Sequence, residues 1–130
     1  MRSSLTFPAS AMLIPSHQLG LDGEETSLHY LLGQGYELVH RNYRYRRAEV
    51  DLIVRRGNEV LVFVEVKTRS SALYGHPEEF VTERKRQLLR LAAEQVQEEL
   101  RWRGDIRFDI LALLPTREGL RVEHFEDAFY

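Results

Sequence analysis

Two apolar strands joined by a tight turn, with acids gathered at one shared end, constrain this chain more than any other stretch. Ala48-Glu49-Val50-Asp51-Leu52-Ile53 and Phe63-Val64-Glu65-Val66-Lys67 flank the turn Arg56-Gly57-Asn58. Period-two alternation puts Glu49, Asp51 and Ile53 on one face of the first strand. On the second, Leu61, Phe63, Glu65 and Lys67 share a face, and Val60, Val62, Val64 and Val66 take the other. An antiparallel hairpin pairs residues whose numbers have a constant sum. If Arg56 faces Val60, Asp51 falls opposite Glu65 and Glu49 opposite Lys67. A two-residue loop would instead set Asp51 against Val64 and scatter the polar groups over both faces. The register therefore predicts an odd loop with Gly57 or Asn58 left-handed. Charges in so apolar a place cost several kcal/mol each unless paired or metal-bound.

The remaining chain frames that hairpin. Leu19 to about Gly33 reads as a helix with an apolar stripe of Leu28, Leu31 and Leu32. Glu24 and Glu25 lie in its first turn, where acids complement the helix dipole. Tyr36 to about Tyr45 reads as the first strand, 48–55 as the second and 59–67 as the third. After a Ser/Gly/Pro loop over 68–79, a long helix from about Thr82 to Trp102 carries Leu88, Leu89, Ala92, Val96 and Leu100 on one stripe. Lys85 sits on that stripe one turn earlier and so points towards the sheet. Two strands follow, at 106–114 and 120–124. The order α-β-β-β-α-β-β describes a mixed α/β domain over 20–130, a central mixed five-stranded sheet with flanking helices. Residues 1–19, interrupted by Pro8 and Pro15, read as a flexible N-terminal arm and not as a signal peptide. The absence of cysteine excludes disulfides and thiolate metal sites and fits a reducing, cytoplasmic compartment. No apolar run approaches membrane-spanning length.

Net charge is -2, so the whole chain does not advertise nucleic-acid binding. Its distribution is more telling. Arg41, Arg44, Arg46 and Arg47 interleave with Tyr43 and Tyr45, and Arg84, Lys85, Arg86 and Arg90 form a second cluster. Either cluster reads as a solvated mixed-charge surface or as a phosphate-binding one. Of 18 basic residues only two are lysine, Lys67 and Lys85. Lysine is a compact point charge with a movable pKa, unlike the permanently charged arginine fork. His17, His29, His40, His76 and His124 show no zinc-ligand spacing and read as surface or loop residues. There is no Gly-rich phosphate loop and no nucleophile elbow. Asp51 and Glu65, on adjacent strands, offer hard oxygen ligands suited to Mg²⁺ or Mn²⁺. Lys67, on the face of Glu65, can hold or help deprotonate an attacking water. Together they point to metal-assisted hydrolysis of a phosphodiester. Glu49 is either a third acidic ligand or the partner of Lys67.

Gly23-Glu24-Glu25, Gly35-Tyr36, Arg41-Asn42-Tyr43-Arg44, Glu49-Val50-Asp51-Leu52-Ile53 and Phe63-Val64-Glu65-Val66-Lys67-Thr68-Arg69 resemble the bacterial YraN-like family. Lys85, Arg107-Phe108-Asp109 and Ala128-Phe129 match the same pattern, so the resemblance spans roughly residues 20–130. It implies a restriction-endonuclease-like, PD-(D/E)XK fold, similar to archaeal Holliday junction resolvases. Carried over by position, Asp51 and Glu65 would hold the metal with the Val66 carbonyl, and Lys67 would be the catalytic lysine. Glu24 would match the extra acid of resolvase-like members, against its simpler reading as a dipole complement. Ala48 departs from the glycine usual in the family, and Ser27 from an alanine. The expected activity is metal-dependent endonucleolytic cleavage of branched or flapped DNA by a homodimer, with no membrane partner. Arg41, Arg44, Arg46, Arg47, Arg69, Arg84 and Arg86 would meet the DNA backbone. The rival is a non-catalytic module that keeps the fold and binds nucleic acid or protein, its acids and lysines a structural ion-pair cluster.

Overall fold

The computed structural model describes residues 10–15, 23–69 and 81–130. Strand β1 (Ser10–Pro15) precedes helix α1 (Gly23–Gly33), then β2 (Glu37–Tyr45), β3 (Ala48–Arg56), β4 (Val60–Thr68), helix α2 (Glu83–Leu100), β5 (Asp105–Pro115) and β6 (Gly119–Phe129). All strands lie in one mixed sheet of order β1-β6-β5-β4-β3-β2. β4 and β5 are parallel, because α2 carries the chain back across the sheet between them; the other neighbours are antiparallel.

The β3–β4 hairpin has the expected register. Leu52 pairs with Val64, Ile53 with Phe63 and Arg56 with Val60. Three residues, Gly57 to Glu59, make the turn, with Gly57 at φ 54° and the Glu59 N–H donating to the Arg56 carbonyl at 3.1 Å. The alternation then loads both faces. Ile53, Leu61, Phe63, Phe108 and Ile110 pack with Leu89, Ala92, Ala93 and Val96 of α2. Leu52, Val54, Val62, Val64, Leu111 and Leu113 pack with Leu28, Tyr30 and Leu31 of α1. The central strands are therefore apolar on both sides, as strands covered by helices on both faces must be. Leu32, expected on the α1 stripe, is exposed, and Tyr30 is buried instead.

The sheet has six strands, not five. Ser10–Pro15 pairs antiparallel with β6, from Ser10 opposite His124 to Pro15 opposite Gly119. Pro15, which has no N–H to donate, closes this edge strand. β6 also runs five residues past His124, beyond the expected end. It bends at Asp127 (φ 50°), whose N–H donates to the Asp109 carboxylate at 3.0 Å, and so stays beside β5. Thr82 caps α2 by accepting the Lys85 N–H at 3.1 Å, and Arg101 closes the helix in the left-handed conformation. The Leu19 start expected for α1 and most of the 68–79 loop fall outside the described residues. No described helix is long and apolar enough to cross a membrane.

His124 is buried, not a surface or loop residue. Its Nε2 donates to Asp109 Oδ2 at 2.7 Å, and its Nδ1 meets the Tyr30 hydroxyl at 3.0 Å. Ser10 extends this chain from Tyr30. On the other side Arg107 grips both Asp109 oxygens, at 2.8 and 2.9 Å, and the Tyr36 hydroxyl at 2.6 Å. One buried polar path thus ties β1, α1, β6, β5 and the start of β2 together.

Where α2 returns to the sheet, Gly104 lies against the hairpin turn. A Cβ there would stand 2.4 Å from the Asn58 carbonyl and 2.7 Å from that of Glu59, both backbone atoms. Gly104→Ala is expected to destabilise the fold by about 1–3 kcal/mol, as overpacking does. Urea unfolding checks this, and an unchanged midpoint would refute it.

Candidate metal centre

The β4 end, the β3 start and the α2 N-terminus meet at one end of the sheet. Glu65, central in the apolar β4, is only 3% exposed. Lys85 reaches it from α2, with Nζ against Glu65 Oε2, and Lys67 Nζ stands 3.8 Å from the same oxygen. Asp51 Oδ2 accepts the Val66 N–H at 2.8 Å, which places its carboxylate beside Glu65. Burial, and then the hydrogen bond with Asp51, push Glu65 up to about 7, against the pull of Lys85. Outside the pair, Arg47, Glu49, Asp51, Arg84, Lys85 and Leu88 line an open concavity of about 340 Å³.

Strict alternation fails next to Asp51. Val50, opposite Tyr43, enters the α2-side core, and Leu52, opposite Arg41, enters the α1-side core. Ile53 is again on the α2 side. Between Arg41 and Tyr43 stands Asn42 with φ 51°, a left-handed kink in the neighbouring strand. The β3–β4 ladder stops at Leu52 and Val64, so Asp51 can turn its carboxylate onto the Val66 N–H. Glu49 does not meet Lys67. It is exposed at the rim, and its Oε1 lies 3.3 Å from Arg44 Nη2.

The other expected residues divide by what already holds them. Glu24 accepts from Asn42 Nδ2 at 2.8 Å and from Arg41 Nε at 3.4 Å, while Arg41 also binds Glu25. Arg41 is thus committed within the molecule, and Glu24, on α1, is held against β2. Arg86 pairs with Glu83 at 2.8 Å. Arg44, Arg46, Arg47 and Arg84 are exposed, with Arg46 in a left-handed turn over the Tyr45 ring. Arg69 follows β4, its N–H donating to the Leu113 carbonyl at 2.8 Å. The buried Arg107–Asp109–His124 network is not among the sequence expectations. Arg107-x-Asp109 spacing on a strand is its one sequence signal, since two residues apart share a face.

Residues 23–113 match the model of "Uncharacterised protein family UPF0102". The chain belongs to that family. It is 42% identical over 114 residues to a UPF0102 protein of Christiangramia forsetii, covering 88% of this chain and 95% of the relative. A UPF0102 protein of Pelotomaculum thermopropionicum is 46% identical over 114 residues, covering 85% of this chain and 94% of the relative. One from Beutenbergia cavernae is 47% identical over 108 residues, covering 82% and 91%. This is the YraN-like family that the motifs resemble. The UPF0102 match begins at α1 and ends in β5, so it contains Asp51, Glu65, Lys67 and Lys85.

In this UPF0102 chain the donor set fits a hard divalent ion. Among the described residues no three His, Asp or Glu side chains converge. Two adjacent carboxylates do, and Mg²⁺ or Mn²⁺ is commonly held by one or two carboxylates with waters completing the shell. A carboxylate buried beside a second one is also what such a cation would relieve. The raised Glu65 has a measurable consequence without any metal. Because its folded pKa lies above the ordinary 4.5, its contribution to stability is full below pH 4.5 and is lost as pH rises through about 7. Stability in EDTA is expected to fall by on the order of 3 kcal/mol more in wild type than in Glu65→Gln across that window. Parallel stability–pH curves for the two would refute the shift.

Proposed function

We propose that this protein is a divalent-metal-dependent endonuclease that hydrolyses DNA phosphodiesters, selective for branched or flapped DNA, on a restriction-endonuclease-like sheet. The observation carrying this reading is the meeting of Asp51, Glu65 and the chain's only two lysines at one end of the sheet. Asp51 and Glu65, with the Val66 carbonyl, would hold Mg²⁺ or Mn²⁺. When bound, the ion would supply Lewis-acid stabilisation of charge on a phosphate oxygen and acidify a bound water. Lys67, beside Glu65, would orient an attacking water and hold its negative charge or its proton. Glu65 is kept from bulk water by β4 and α2, which strengthens every charge interaction around it. Glu24, on α1, and Glu49, on the rim, would act on substrate or water at the edge of the site.

Arg47 and Arg84 line this concavity, and Arg44 and Arg46, close by in sequence, add exposed positive charge suited to a phosphate backbone. No base-reading motif accompanies them, which favours recognition of DNA shape over sequence. Arg46→Ala/Arg47→Ala is expected to lower the slope of log affinity against log salt by about 2, one phosphate contact per arginine. A fluorescence-anisotropy titration at several salt concentrations gives the slope, and an unchanged value would remove these residues from the interface. Symmetric cutting of a junction would further require a second copy of the chain.

The deciding assay mixes purified protein with Mn²⁺ and labelled branched, flapped and duplex DNA. Cleavage of the branched or flapped substrates that EDTA abolishes is expected. If the protein binds no divalent ion with Asp51 and Glu65 intact, the nuclease reading fails. The ion pairs already made to Glu65 favour the rival, a non-catalytic module with a structural charge cluster. DNA binding without cleavage or metal binding would establish that rival.

A further inference from the structure

At the Glu65 end of the sheet two acids already face two lysines. In the deprotonated form that a metal would need, Asp51 and Glu65 bring two negative charges, and Lys67 and Lys85 bring two positive ones, both directed at Glu65 Oε2. A divalent cation added to these four would leave the cluster doubly positive, beside the further positive charge of Arg47 and Arg84. Something must therefore leave. Asp51 is tied to the Val66 N–H and Glu65 is buried in β4, so neither carboxylate has a route out. The two lysines differ. Lys67 projects from the middle of the sheet, with a quarter of its side chain exposed. Lys85 has 40% exposed and stands on the first turns of α2, at the open concavity. Its backbone is pinned by the Thr82 cap, but its four-carbon stem carries the ammonium, and that stem can swing to solvent.

We infer that Lys85 is a resident counter-ion that occupies the metal's place on Glu65, and that Lys85 and a divalent cation exclude one another there. The inference rests on the metal-centre reading and adds a regulation to it. The resting site is closed by a lysine; loading swings Lys85 out into the concavity, where a DNA phosphate would receive it. Ion entry and phosphate binding then favour each other, because the phosphate holds the lysine away from Glu65.

The test is Mn²⁺ binding, read by calorimetry and by melting, with no DNA present. Lys85→Met is expected to tighten Mn²⁺ by at least about tenfold, since the positive charge against Glu65 Oε2 is removed. In EDTA the same variant should melt below wild type, because buried Glu65 has lost its partner, and saturating Mn²⁺ should close that gap. Lys85→Met/Glu65→Gln should melt close to wild type in EDTA and ignore Mn²⁺. If Lys85→Met does not fold, Lys85→Gln carries the same expectation. Wild-type binding that Asp51→Asn abolishes, with no tightening in the Lys85 variants, overturns this inference and leaves the metal centre standing. No Mn²⁺ binding in wild type and in the Lys85 variants overturns both. Binding that appears only once Lys85 is removed supports the exclusion of the cation by Lys85, while the lack of an ion in wild type fails the nuclease reading.

Discussion

Lys67→Ala is expected to lower Mn²⁺-dependent cleavage of branched DNA by at least about 100-fold, the range lost with a positioned proton-transfer group. It should do so without loss of Mn²⁺ binding, because it removes no oxygen donor from Asp51, Glu65 or Val66. Asp51→Asn should cost as much activity and weaken Mn²⁺ as well, since it removes one of two anionic ligands. The geometry behind the difference is specific. Lys67 Nζ stands 3.8 Å from Glu65 Oε2, whereas Asp51 both faces Glu65 and accepts the Val66 N–H at 2.8 Å. Asparagine can keep that acceptor bond, so the fold should survive. Activity that persists in both variants would mark a contaminating nuclease. A Lys67→Ala enzyme with unchanged turnover would strike Lys67 from the mechanism.

The largest stability effect is expected away from that site, at Asp109→Ala. Asp109 is fully buried and accepts from Arg107 twice, from His124 and from the Asp127 N–H. Burial alone would raise its pKa, but the hydrogen bonds from His124 and Arg107 outweigh it and hold the carboxylate below its ordinary range. Removing it leaves the buried His124 and the largely covered Arg107 without their carboxylate, at a cost of about 3–5 kcal/mol. For a chain of this size that is a fall in Tm on the order of 10 °C or more. The sign of the pH effect is opposite to that at Glu65. Asp109 is depressed, so its contribution is present above the unfolded value of 3.8 and disappears as the solution is acidified. Asp109→Asn should therefore narrow the difference from wild type at acid pH. A loss under 1 kcal/mol in Asp109→Ala would show that the network is ornamental to the fold.

The features legible in the amino-acid sequence are those that depend on local period. The hairpin register, the odd loop and left-handed Gly57 follow from alternation and turn chemistry, and helix phase brings Lys85 towards Glu65. The features that stay hidden depend on partners remote in the chain. Ser10–Pro15 is a strand only because β6 offers it an edge, and two nearby prolines argue against it locally. His124 is buried because Tyr30, Asp109 and β5 close over it, which no zinc-spacing argument can detect. Alternation and register set Glu49 opposite Lys67, and that pairing is lost because the β3–β4 ladder stops at Leu52 and Val64, beside Asn42, a residue in another strand.

The parallel pairing of β4 with β5 also has a consequence for how the protein is made. Val60–Thr68 leaves the ribosome well before its inner neighbour, since Asp105–Pro115 must wait for all of α2. At ordinary elongation rates that interval is roughly several seconds. Throughout it, the most apolar strand of the nascent chain has one bare edge, the kind of surface on which two growing polypeptides pair wrongly. Glu65 and Lys67 are then the only charges along Val60–Thr68. The residues proposed for cleavage would thus act first as gatekeepers, keeping the unfinished sheet from joining another.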